Sequence, residues 1–438
     1  MASTQDALYR RIDLDLSWSE RELPERERTK HVHRLHPYLG KFIPQVVEVL
    51  LARYVAPGGR VLDPFAGGRV LDPFAGSGTT LVQALESGYD ACGADVAPFN
   101  CLLMRVKTCE YNPFVLESEL RDALARLDAF QGSRPDGPVS RFVRDWYAPK
   151  AAAELLFFRG LLEDYEHADV LRVVLARAAR SARRTTHFDL DFPRAPQRWP
   201  YWCHKHRREC RPVGEARRFL RRYALDTLAR VREFARVRAR GREAVVLHGD
   251  ARELDFGRGF DGVLTSPPYP GLIDYHEQHR YAYELLGLEE LRELELGKRS
   301  SRAALGAYVE GVAAVLANVR GSLLRSAPVV IVISDRRELY PEMTYITAFT
   351  YSPMQRARFL GEDAARRLKL ILGDTASRDL RVARALASAP REFDDVYRAV
   401  VEAGLDGLLH QPVLLDPGEA LELGGGDGCA EVVLGARL

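Results

Sequence analysis

An α/β fold built on a mostly parallel sheet is predicted by three features of the chain. Strand-like apolar runs end in Asp or Gly, helical patterns alternate with them, and an early strand runs through a glycine turn into a helix. At 438 residues the chain is about three times a typical ~150-residue domain, enough for one large or several modest units. Its 46% hydrophobic and 28% charged residues exclude a disordered, collagen-like or disulfide-stapled chain. No run approaches the ~18 apolar residues of a membrane helix, and Met1–Arg11 lacks a secretory apolar stretch, so no membrane partner is expected. Six cysteines are too sparse for a disulfide scaffold, which makes a reducing cytoplasm the expected compartment.

Taken in order, Phe42–Tyr54 has the spacing of an amphipathic helix and Arg69–Phe74 that of a buried strand. A helix over Thr79–Ser87 and a strand over Asp90–Asp95 follow. Strands are then predicted at Ala244–Asp250 and Gly262–Ser266, a helix at Glu277–Leu286, and a fifth strand at Val329–Asp335. Asp394–Gly404 reads as helical, and Leu408–Leu415 with Ala430–Leu438 as a closing antiparallel hairpin. Two excursions interrupt this rhythm, and excursions this long in a compact fold are usually functional or folded subdomains. The division expected is a first core part over 28–105, an Arg-rich helical insertion over 106–242, a second core part over 243–339, a second insertion over 340–392 and a closing core segment over 393–438.

The net charge of +2 hides an asymmetry. Leu171–Arg242 holds 21 Lys and Arg against 6 Asp and Glu, a local balance of +15, so the remainder sums to −13. Only 7 of the 63 cations are Lys, and a bias towards Arg accounts for that choice. Such a bias does not explain the scarcity of acids in this segment, which predicts a polyanion partner. The nonapeptide GRVLDPFAG occurs at Gly59–Gly67 and again, back to back, at Gly68–Gly76. Only the second copy continues into Ser77-Gly78-Thr79-Thr80, so it is expected to be the working one, because an anion site needs strand, turn and helix start contiguous.

Two motifs carry chemistry. In Asp72-Pro73-Phe74-Ala75-Gly76-Ser77-Gly78-Thr79-Thr80 the glycines let backbone N–H groups approach a ligand at a helix N-terminus. Asp95 ends the next strand, where a carboxylate can accept the hydroxyls of a ribose, although a helix-capping role is the plainer alternative. In Thr265-Ser266-Pro267-Pro268-Tyr269 the prolines stop the strand and free backbone carbonyls from pairing, and Tyr269 presents an aromatic face. That assembly suits an exocyclic amine on a flipped base. Ser266 Oγ and a proline carbonyl would accept its hydrogens while Tyr269 stacks on the ring.

DPFAGSGTT and TSPPY together resemble the N4-cytosine/N6-adenine DNA methyltransferases, S-adenosylmethionine-dependent amino-methyltransferases. The resemblance covers about Arg28–Asn100 and Glu243–Asp335 and includes His36-Pro37-Tyr38-Leu39-Gly40-Lys41-Phe42, similar to the family segment that closes over the methionine end of the cofactor. It implies a Rossmann-like class I methyltransferase fold, with S-adenosylmethionine held by Asp72, Phe74, Ala75, Gly76, Ser77, Gly78, Thr79, Thr80 and Asp95, and Asp250 reading the adenine. It further implies duplex DNA as partner and, in a restriction–modification pair, a cognate restriction endonuclease. Ser-Pro-Pro-Tyr is the family form associated with cytosine N4, which points Ser266 to that base. Adenine N6 in DNA and guanine N2 in tRNA are the alternatives, and a nucleic-acid-binding relic without catalysis is the rival of a different class. The chain lacks the Pro-Cys dipeptide that cytosine C5 chemistry requires. The duplicated nonapeptide and the two insertions depart from the family pattern, and target recognition is expected in Val106–Arg242, with Tyr340–Glu392 as second candidate.

Weaker signals have ordinary readings. Cys203, His206 and Cys210 form one knuckle where a structural zinc site wants two, so a basic aromatic DNA-contact segment is favoured and no metal is expected. Cys92, Cys101 and Cys109 read as core residues. Asp274 and Tyr275 either line the base pocket or cap the next helix, and Asp335 lies near the cleft mouth with its role open.

Overall fold

A computed structural model describes residues 29–38, 40–55, 68–185, 195–203, 207–268, 273–297, 302–324, 327–333 and 431–435. The first nonapeptide copy, the segment Tyr340–Glu392, Asp335, the helix at Asp394–Gly404 and the strand at Leu408–Leu415 lie outside these residues. A 3-10 turn at His31–Arg34 precedes helix α1 (Pro44–Tyr54), strand β1 (Arg69–Asp72), helix α2 (Thr79–Glu86), strand β2 (Asp90–Asp95) and helix α3 (Pro98–Thr108). The insertion contributes α4 (Pro113–Ala129), α5 (Arg141–Trp146), α6 (Pro149–Gly160), α7 (Ala168–Ala182), the short strands β3 (Tyr201–Cys203) and β4 (Arg208–Cys210), and α8 (Arg217–Val237). The core then resumes with β5 (Ala244–His248), β6 (Gly262–Thr265), α9 (Tyr275–Gln278), α10 (Arg280–Leu286), α11 (Arg302–Arg320), β7 (Val329–Ile333) and β8 (Glu431–Gly435).

All five expected core strands are present, in the sheet order β5-β2-β1-β6-β7-β8 with every described pair parallel. Alternating residues explain why both faces are covered. Leu71, Val263, Val329 and Ile331 pack on the face covered by α11, through Tyr308, Val312, Val315 and Val319. Val70, Leu264, Val330 and Val332 pack on the opposite face with Val47, Leu50 and Leu51 of α1 and Leu81 of α2. The α11 residues recur at helical spacing, yet that helix falls outside the elements read from the sequence. Of the expected closing hairpin, the Ala430–Leu438 half forms β8 alongside β7, and its partner lies outside the described residues. One antiparallel hairpin not foreseen in the sequence, β3–β4, sits inside the insertion.

The insertion does not stand off from the core. A single apolar cluster joins Leu124, Leu155, Val174 and Leu228 of its helices to Val82, Leu103 and Leu285 of the sheet-covering layer. Part of its charge is paired within the fold. Arg172 pairs with Glu163, Arg217 with Glu154, Arg221 with Asp128, Arg232 with Glu117, Arg238 with Glu110 and Arg242 with Asp90. Each of these acids precedes Leu171, so the two halves of the imbalance meet in space. Arg177, 6% exposed, donates to Asp226 at 2.5 Å and to Thr227 at 2.9 Å and lies over the Tyr223 ring.

Glu154 is fully buried and caps α8, accepting from the backbone N–H groups of Ala216 at 2.6 Å and Arg217 at 2.9 Å. Glu154→Ala leaves both donors orphaned and Arg217 without its carboxylate. We expect it to cost about 2–4 kcal/mol, read as a lower urea midpoint at unchanged slope.

Candidate active site

In an open parallel sheet, ligands sit beyond the carboxyl ends of the strands where the strand order reverses. Here that point lies between β1 and β6, and the two strand ends are tied together: Thr265 Oγ1 donates to Asp72 Oδ1 at 2.6 Å. A cleft opens above them, at the place where small-molecule sites form in such sheets. Among the cofactor residues expected from the sequence, Asp72, Phe74, Ala75, Gly76, Ser77, Thr79, Asp95 and Asp250 line it, as do Ser266 and Pro268 of the second motif. Gly78, Thr80 and Pro267 do not reach the cleft wall, and Tyr269 lies outside the described residues.

The glycine loop is held from all sides. Gly78, at φ 79°, is the N-cap residue of α2, and a Cβ there would lie 2.8 Å from Met104 Cγ. Gly76, at φ 51°, passes so close to Tyr38 that a Cβ would sit 3.1 Å from its hydroxyl. Beneath the loop the buried Lys107 Nζ donates to the Ser77 carbonyl at 2.5 Å, and burial pushes its pKa well below the usual ammonium value. Asp72 also accepts from the Phe74 N–H at 3.1 Å; burial raises its carboxyl to about 6, held back by the Thr265 and Phe74 hydrogen bonds.

Asp95 is engaged at both oxygens. Oδ2 accepts from Gly76 N–H at 3.0 Å, and Oδ1 from Ala97 N–H at 2.8 Å and Asn100 Nδ2 at 3.1 Å. Burial pushes this carboxyl up to about 7, and the Glu295 carboxylate adds to the rise. The carboxylate thus ties the loop and the entry to α3 together while facing the cleft. Asp250 also lines the cleft, with its carboxylate gripped by Arg252 Nε at 2.9 Å to each oxygen. That ion pair lowers the Asp250 pKa.

Further wall residues come from segments distant in sequence. Tyr38 accepts from Asn100 Nδ2 at 3.1 Å and stacks on Tyr275 and His279, with centroids 5.4 and 5.5 Å away. His279 and His36 are buried, and desolvation keeps both rings neutral, the first with its pKa lowered to about 3. Lys41 lines the same end and donates to the His33 carbonyl at 3.1 Å. The two readings of Asp274 and Tyr275 separate cleanly. Asp274 caps α9 by accepting from Glu277 N–H at 2.9 Å, and Tyr275 lines the cleft. Leu294, Glu295, Leu296 and Val315 complete the wall and were not foreseen in the sequence.

The remaining candidates are outside this cleft. Cys92 and Cys101 are buried, as expected of core residues, and burial pushes the Cys92 thiol up to about 11; Cys109 is exposed instead. Cys203 and Cys210 lie on the two strands of the β3–β4 hairpin, and His206 is outside the described residues. Among the described residues one other group has metal-ligand spacing, Glu119, Glu166 and His167. There Glu119 is committed to the N–H groups of Glu166 and His167 and to His167 Nδ1, which makes it the cap at the start of α7. No helix among the described residues is long and apolar enough to cross a membrane.

Comparison with known proteins supplies one relative. The chain is similar to the type II methyltransferase M.MjaII of Methanocaldococcus jannaschii, at 34% identity over 77% of this chain and 78% of the relative. No protein-family model and no solved structure matches the chain.

Proposed function

The chain belongs to the type II methyltransferase family, and from that premise we propose that it transfers a methyl group from S-adenosylmethionine to the N4 amine of cytosine in duplex DNA. The observation that carries the reading is the meeting, in one cleft, of the glycine loop with Ser266 and Pro268, residues that are about 190 positions apart in sequence. S-adenosylmethionine fits the cleft on chemical grounds. Ser77 Oγ and Asn100 Oδ1 are buried wall atoms without a hydrogen-bond partner among the described residues, so a polar ligand would satisfy them. When bound, the cofactor supplies an electrophilic methyl on a sulfonium.

The residues take the following parts. Gly76, Ser77 and the start of α2 hold the amino-acid end, with Lys41 as the cation for its carboxylate. Asp95 accepts from the ribose, and Phe74, Leu296 and Val315 enclose the adenine beside Asp250. Ser266 Oγ and a proline carbonyl accept the hydrogens of the cytosine amine, and Tyr269 stacks on the flipped ring. The side chains position and polarise the reactants and form no bond to them. The contact surface for DNA centres on the β3–β4 hairpin, where Trp199 and Trp202 are 80% and 60% exposed and Arg207, Arg208 and Arg211 are exposed beside them. A cognate restriction endonuclease would share the target sequence, and 340–392 is a second recognition candidate.

Two measurements test this reading. Digestion of labelled product to nucleosides separates N4-methylcytosine from N6-methyladenine in DNA and from methylguanosine in tRNA, the alternatives that the same motifs allow. Cofactor affinity should also depend on pH. The Asp95 carboxyl of the free protein, at about 7, is partly protonated near neutrality, and a proton on either oxygen would face an N–H donor. Ligand binding favours the ionised form, so affinity rises as pH climbs from about 6 to about 8 and levels off above that, with proton release seen by calorimetry in two buffers.

A further inference from the structure

Resting on the cofactor reading above, we infer that Glu295 is a charge-reading residue of the cofactor site, which gives the cleft its preference for the sulfonium substrate over the neutral thioether product. Glu295 is one of four glutamates in Glu289–Glu295, and its side chain, only 8% exposed, is placed in the cleft wall between Leu294 and Leu296. Its Oε1 accepts from His276 Nδ1 at 2.8 Å. The other ring nitrogen, Nε2, accepts the Leu291 N–H at 3.2 Å, so the Nδ1 proton is the one aimed at Glu295. His276 is fully buried, so it acts as a rigid holder of the Glu295 carboxylate.

The two arginines of the neighbouring segments pair with other carboxylates. Arg292 pairs with Asp274, Glu277 and Glu290, and Arg252 with Asp250. The Asp95 contacts are neutral, two backbone N–H groups and an amide. Asp95 and Glu295 thus line one cleft, no Lys or Arg among the described residues pairs with either, and the repulsion between them adds to the raised pKa of Asp95. A ligand that brings positive charge relieves this repulsion. S-adenosylmethionine carries one more positive charge than S-adenosylhomocysteine, and the difference is confined to the sulfur. Methyl transfer removes that charge, and the same carboxylate then favours replacement of product by fresh substrate.

The test is calorimetric and needs no turnover. Glu295→Gln keeps the volume and the acceptor for His276 and removes only the charge. Wild type and variant are titrated with S-adenosylmethionine, S-adenosylhomocysteine and the analogue bearing an ammonium in place of the sulfonium. We expect affinity for the two cationic ligands to fall about tenfold and that for the thioether by less than about threefold. Glu295→Asp, which retains the charge, should retain the preference and controls for damage to the fold. An equal loss for all three ligands, or no loss for any, would overturn the assignment. A wild type that binds none of the three would overturn the cofactor reading itself, and this inference with it.

Discussion

Tyr269→Ala is expected to lower methyl transfer to duplex DNA by about ten- to a hundredfold while leaving S-adenosylmethionine affinity within about twofold. The size follows from base–aromatic stacking, worth ~1–3 kcal/mol per base. The split follows from the proposed roles: Tyr269, next in sequence to Pro268, stacks on the base, whereas the glycine loop and Asp95 hold the cofactor. Tyr269→Phe keeps the ring and should retain most of the activity. Single-turnover assays at saturating cofactor, beside equilibrium binding of the cofactor alone, separate the two quantities. A parallel loss of cofactor binding would place Tyr269 in the wrong part of the site.

Asp95→Asn is expected to weaken cofactor binding almost as much as Asp95→Ala, although it is the gentler change in shape. Both carboxylate oxygens accept from N–H donors, Oδ2 from Gly76 and Oδ1 from Ala97 and Asn100. An amide has one acceptor end, so either orientation sets its NH₂ against another donor. Leaving one such partly buried donor unmet costs ~1–3 kcal/mol, or roughly 5- to 150-fold in affinity when the loop it holds is the binding loop. The variant should also lose the rise of affinity between pH 6 and 8. Isothermal titration across that range measures both effects on one protein.

The sheet was legible because each strand is a short apolar run that ends in a residue unable to continue it: Asp72, Asp95, and Ser266 before two prolines. The glycine loop was legible because the φ values at Gly76 and Gly78 leave little choice of residue. The rest of the wall depends on contacts that no local pattern records. Tyr38 meets Asn100 and Tyr275 only through the tertiary fold, and Glu295 differs from Glu289, Glu290 and Glu293 solely in its burial against His276. Part of the charge of the basic insertion is paired through the same kind of tertiary contact. Its arginines count as excess charge along the chain, but Arg217, Arg221, Arg232 and Arg238 find their acids on helices or turns well before them in sequence. Exposed arginines remain around the Trp202 hairpin, at Arg207, Arg208 and Arg211, and along α8 and just beyond it, at Arg218, Arg222, Arg236 and Arg240.

The most direct test of the account is transfer of label from S-adenosylmethionine to unmethylated duplex DNA, followed by nucleoside digestion and mass spectrometry, with Tyr269→Ala alongside. N4-methylcytosine in the wild-type reaction, lost in the variant, is the predicted result. A folded protein that binds the cofactor yet leaves cytosine unlabelled in duplex DNA would contradict it, and label on adenine or in tRNA guanine would reassign the same cleft to a different amine.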